Sequence, residues 1–124
     1  MQIVDELTGD MIIRQGDNGE YIVEDTPTDK VYTAYFSVVD ENRNHIGDIE
    51  ANTNLEGYTK FIITPEFSDK LVVKKDEESA TYFFVVKLCH GVNDIEDTLV
   101  IGNKGINELN KITVLPKISD GSKI

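Results

Sequence analysis

Tryptophan is absent from this sequence, cysteine occurs once and histidine twice in 124 residues. A lone cysteine excludes an internal disulfide, so stability has to come from packing. No apolar run approaches the ~20 residues that a membrane-crossing helix needs. The first residues, MQIVDELTGD, carry acids where a secretory signal needs positive charge, and no long apolar segment follows. The expectation is a protein made in a cytoplasm, without a membrane partner. Basic residues are scarce as well: 12 Lys and Arg stand against 23 Asp and Glu, a net charge of -11. Such a surface repels phosphate backbones, and no basic stripe reverses this locally, so nucleic acid is not an expected partner. Gly-rich phosphate loops and serine elbows are also missing.

What is present alternates. Apolar residues make up 40% of the chain, in short clusters, as in a folded domain. The length suits one domain with its own core, assigned to residues 1–118, with 119–124 as a flexible polar tail. VYTAYFSVV (Val31 to Val39) places Tyr32, Ala34, Phe36 and Val38 on one face and Thr33, Tyr35, Ser37 and Val39 on the other. HIGDIEA, YTKFIIT, ATYFFVVKLCH, DTLVIG and NKITVLP read as further strands, and MIIR and EYIVE supply two near the start. TPEFSDKL is the one helical piece, with Thr64 placed to cap it and Pro65 at its first position. About seven or eight short strands with one helical turn predict an all-β, immunoglobulin-like antiparallel β-sandwich.

Cys89 and His90 adjoin in YFFVVKLCHG and invite a reading as a thiol site or a metal pair. Successive residues of a strand point to opposite faces, so the two diverge. The other histidine, His45, lies after the DENRN turn, and nothing in the sequence fixes it near Cys89. One Cys and two scattered His lack zinc-site spacing. Asp40, Asn42 and Asn44 alternate as in a calcium loop, but His45 and Ala51 stand where that loop needs Gly and Glu. NDIEDT (Asn93 to Thr98) is a second acidic turn without a ligand pattern. No catalytic residue, metal ligand or cofactor is assigned, and a non-enzymatic role is expected.

Lys87 decides which face of its strand meets water, because an unpaired charge is costly in a core. Tyr82, Phe84, Val86 and Leu88 then face inward, and Phe83, Val85, Lys87 and Cys89 outward. In an immunoglobulin-like sheet this strand neighbours VYTAYFSVV, so Tyr35, Val39, Phe83 and Val85 form an outward apolar patch. Two readings stay open: the patch is a protein contact, or GNKGINELN or the N-terminal strands cover it.

The succession IIRQGD, YFSVVDENRN, FIITPEFSDKL, ATYFFVVKL, DTLVIG and ITVLP resembles the immunoglobulin-like domain of tailed-phage baseplate upper proteins. It spans roughly Met11 to Pro116. NGEYIVEDTPTDK lengthens the first connection relative to that pattern, and GNKGINELN is inserted before the last strand. The resemblance implies a virion structural protein of a phage or prophage (baseplate, tail, neck or capsid accessory) that docks to other virion subunits or to itself. It implies no catalytic residues. A carbohydrate-binding sandwich, stacking sugars on Tyr21, Tyr35 and Tyr58, is the alternative, and the lack of tryptophan weighs against it.

Overall fold

A computed structural model of the chain describes residues 2–5, 8–90, 95–100 and 110–117. Alternation in sequence becomes alternation in burial. Along β4 (Thr33–Asp40), Ala34, Phe36 and Val38 are buried and the residues between them are half-buried. β7 (Ala80–His90) does the same with Tyr82, Phe84, Val86 and Leu88, as Lys87 requires. β2 (Met11–Arg14), β3 (Gly19–Glu24), β6 (Tyr58–Ile63) and β9 (Asn110–Leu115) each turn every second residue inward. β5 (His45–Asn52) is more open, and β8 (Ile95–Val100) completes the expected strands. β1 (Gln2–Val4) was not foreseen, since three residues are too few for periodicity to register.

Seven strands form one sheet in the order β1-β2-β9-β7-β4-β5. β8 shares an edge of β7 with β9: β9 pairs with the Ala80–Phe84 half and β8 with the Val86–His90 half. β3 and β6 form a two-stranded second layer. Phe36, Phe61, Phe84, Ile13, Ile112 and their buried neighbours fill the space between the layers. The β9-β7-β4-β5 run and the β3-β6 pair follow the strand order of an immunoglobulin variable-type domain. The fold is therefore the expected all-β sandwich. One pairing departs from the antiparallel expectation: β2 lies parallel to β9, Met11 opposite Ile112 through Arg14 opposite Leu115. Parallel neighbours need a long connection, and here nearly the whole domain provides it.

Two local features explain how the core is fixed without a disulfide. The Tyr82 hydroxyl, at the start of β7, donates to the Val72 carbonyl at 2.8 Å, a tyrosine corner like those of antibody domains. Two residues on, where those domains carry the second disulfide cysteine, stands Phe84. Its ring stacks on Phe36 at 4.5 Å and 18° and receives Tyr21 edge-on at 5.1 Å and 75°. Aromatic contacts thus occupy the place of the inter-sheet bridge.

The helical turn α1 (Pro65–Ser68) forms as expected, with the Thr64 side chain accepting from the Phe67 N–H at 3.1 Å and Pro65 in the first turn. It drops Phe67 onto β5, where a Cβ at Gly47 would lie 3.1 Å from the ring. Among the described residues no helix is long and apolar enough to cross a membrane. The tail at 119–124, and GNKGINELN except Asn110, lie outside the described residues.

Candidate functional site

The outer face of the large sheet carries the residues singled out above. Strand register sets them in rows: Phe83, Val39 and His45; Val85, Ser37 and Asp48; Lys87, Tyr35 and Glu50; Cys89, Thr33 and Asn52. Tyr35, Val39, Phe83 and Val85 are all half-buried. Tyr35, Val39 and Val85 line one groove of about 470 Å³, floored by Ser37 and flanked by Asp48 and Lys87. Phe83 sits at its side rather than in it. The Arg43 guanidinium lies 5.4 Å from the Phe83 ring centre, a cation–π contact that partly covers it. Arg43 gets there because the β4–β5 turn holds it at φ 66.

The groove has a polar hub. Asp48 Oδ1 accepts from the Ser37 hydroxyl at 2.6 Å and meets His45 Nε2 at 2.9 Å. Burial pushes the Asp48 carboxyl up, but the His45 and Ser37 hydrogen bonds and the charges of His45 and Lys87 outweigh it, leaving it below its ordinary value. Ser, His and Asp are the residue types of a hydrolase triad, with the wrong connectivity. Here the carboxylate joins the other two, so Ser37 spends its proton on Asp48, and among the described residues no imidazole is placed to take it.

Cys89 and His45 both line this groove, but from opposite ends of it, too far apart to act as nucleophile and base. Cys89 is in the row of Thr33 and His45 in that of Val39, about 20 Å apart along the strand. The side chain of His90 lies outside the described residues. In the β4–β5 turn, Asp40 Oδ1 accepts the backbone N–H groups of Asn42 and Asn44 at 2.8 and 2.9 Å. Those bonds, Asn44's first, hold the Asp40 carboxyl below its usual value, and they commit it to the turn. Of NDIEDT, residues 93–94 and the remaining side chains lie outside the described residues. Among the described residues no group of three or more His, Cys, Asp or Glu converges to hold a metal.

Of the N-terminal strands, β2 extends the edge of the large sheet beyond β9 and β3 belongs to the second layer on the inner side, so neither lies over the outer face. The tyrosines proposed for sugar stacking separate. Tyr21 is buried in the core, its hydroxyl donating to the Gly9 carbonyl at 3.3 Å. Tyr58 is exposed on the small sheet, the other layer from Tyr35. No known protein family model matches the chain, and no curated protein does. The face is therefore read from its own chemistry. Sequence alternation located Tyr35, Val39, Phe83 and Val85, but it missed the Ser37–Asp48–His45 hub and the Arg43 cover. Both depend on cross-strand register and turn geometry, for which only the alternating polar positions of HIGDIE gave a hint.

Proposed function

We propose that this protein is a non-enzymatic assembly module, a virion structural protein of a tailed phage or prophage, that docks to neighbouring subunits through the outer face of its large sheet. The observation that carries the docking role is the groove in which Tyr35, Val39 and Val85 lie beside a hydrogen-bonded Asp48 and a Lys87. Apolar and aromatic side chains mixed with hydrogen-bonding polar groups are what non-obligate protein contacts use. The virion setting rests on the succession of strands and turns, from IIRQGD to ITVLP, that resembles the baseplate upper domain. A sandwich pinned by aromatic contacts needs no oxidising compartment, which suits assembly in a host cytoplasm.

The test is co-sedimentation with baseplate, tail, neck and capsid subunits, alongside sizing of the protein alone. Val85→Lys and Phe83→Asp are expected to abolish the complex while leaving the circular dichroism spectrum unchanged. Variants that assemble as the parent does would sink the docking face. Binding to a glycan array, lost on Tyr35→Ala with no subunit bound, would replace this reading with carbohydrate recognition.

A further inference from the structure

The second layer of the sandwich has only two strands, β3 and β6, so each has an unpaired edge among the described residues. On the outer edge of β3 the backbone polarity can be read directly. The N–H of Glu20 donates to Gln2 Oε1 at 2.9 Å, and its carbonyl accepts from Gln2 Nε2 at 2.8 Å. Glu20 therefore turns both backbone groups away from β6. Antiparallel pairing alternates inward and outward residues, and β3 pairs with β6 without a break. Ile22 and Glu24 consequently present their N–H and C=O groups to the same outer edge, where no described group pairs with them. A primary amide has the donor and acceptor of a peptide unit. Gln2 thus already does at Glu20 what an added strand would do along the whole edge. Gly19 keeps the room for it: a Cβ there would lie 2.7 Å from Gln2 Oε1.

Beside this edge runs an open groove of about 750 Å³ between β1 and β3, with Val4, Tyr21 and Val23 on its inner side and Glu20, Ile22 and Glu24 on its outer side. We propose that the β3 edge binds an extended segment of another protein by strand addition, and that this segment alternates apolar residues facing inward with a basic–apolar–basic set facing outward. This surface is distinct from the face proposed above, and the inference does not depend on that reading. The backbone groups of Ile22 and Glu24 supply the pairing. Val4, Tyr21 and Val23 accept the inward side chains. Opposite Glu20 the segment's own peptide groups would take the place of the Gln2 amide; there and opposite Glu24 it would carry Lys or Arg, with an apolar residue opposite Ile22. Glu20 already shares Lys60 at 3.4 Å, whereas Glu24 has no basic partner among the described residues. A second copy of this chain does not fit. Two β3 edges paired antiparallel about Ile22 would set Glu20 of one directly opposite Glu24 of the other, and like charges so placed repel. The same glutamates protect an open edge against self-association.

The test uses the full chain and a labelled peptide, TKVVVKT, compared with the same peptide N-methylated on alternate amides. The plain peptide should bind in anisotropy titrations and slow hydrogen exchange at the Ile22 and Glu24 amides. The methylated one, equal in charge and with no less apolar surface, should bind at least about tenfold more weakly. Ile22→Pro removes one outward donor without touching the β3–β6 ladder, a place where an edge strand tolerates proline. It should weaken binding about tenfold, against less than about threefold for Ile22→Ala. Glu20→Lys with Glu24→Lys, on the surface, should weaken it likewise. If Ile22→Pro fails to fold, the exchange measurement and the double lysine variant decide. Equal binding of the two peptides, or unchanged exchange at Ile22 and Glu24 under saturating peptide, would overturn the proposal.

Discussion

Phe84 ties both layers of this fold through one side chain. It is wholly buried, it touches β4 through Phe36 and β3 through Tyr21, and it stands where related architectures place a covalent bridge. Replacing it removes the apolar transfer energy, leaves a cavity, and breaks one ring contact within the large sheet and one between the layers. Phe84→Ala should therefore lower unfolding free energy by about 3–5 kcal/mol. Urea titration followed by tyrosine fluorescence measures this, and a loss below about 1.5 kcal/mol would mean the layers are held elsewhere. Asn110, opposite Phe84 and also fully buried, shows the opposite solution to burial. Its Nδ2 donates to the Thr8 carbonyl at 2.9 Å, tying the start of β9 to the β1–β2 connection.

At the scale of elements, β5 is held by side-chain bonds as well as by its ladder. It lies at one edge of the large sheet and mixes partly buried residues with exposed ones. Asp48 links it to β4 through Ser37 and braces its own start through His45. Because the folded Asp48 carboxyl titrates below its ordinary value, it binds its proton less readily folded than unfolded. Its contribution is present above the ordinary carboxylate pKa and is lost as pH falls through the depressed folded value. The effect is small, since the side chain is 42% exposed. Asp48→Asn should make the urea midpoint fall less steeply than in the parent between about pH 5 and pH 2. Parallel curves for the two proteins would refute this. Local pattern made β4, β6, β7 and α1 legible in the sequence, because burial on one face writes a period of two and a cap writes Thr-Pro. It also gave the outward face of β7, through Lys87. It did not give β1, whose three residues are too few for alternation to register, or the parallel β2–β9 pairing, which joins residues about a hundred positions apart by contacts no local window contains. The candidate face divided along the same line. Which side chains point outward follows from alternation, but Arg43 over Phe83 follows from a left-handed turn residue.

For the whole molecule, the dominant electrostatic fact is an excess of eleven acids, 23 against 12 bases. Folding gathers these charges onto a compact surface and raises their mutual repulsion. Against this stand exposed ion pairs such as Lys60–Glu20 at 3.4 Å and Lys117–Asp69 at 2.8 Å. Pairs this exposed are each worth about 0–1 kcal/mol and are screened by the same salt. Screening therefore removes a little attraction and a larger, longer-ranged repulsion. At ~10 mM ionic strength the Debye length is about 30 Å, so charges across most of the domain repel one another; at ~0.15 M it shrinks to about 8 Å. Raising NaCl across this range should raise the thermal midpoint, most of the gain coming before ~0.15 M. Sodium sulfate adds a preferential-exclusion effect that continues at higher concentration, which separates the two causes. A midpoint that falls with NaCl would mean that local ion pairs outweigh the net charge, and the Lys60→Gln and Lys117→Gln variants would then lose the salt response.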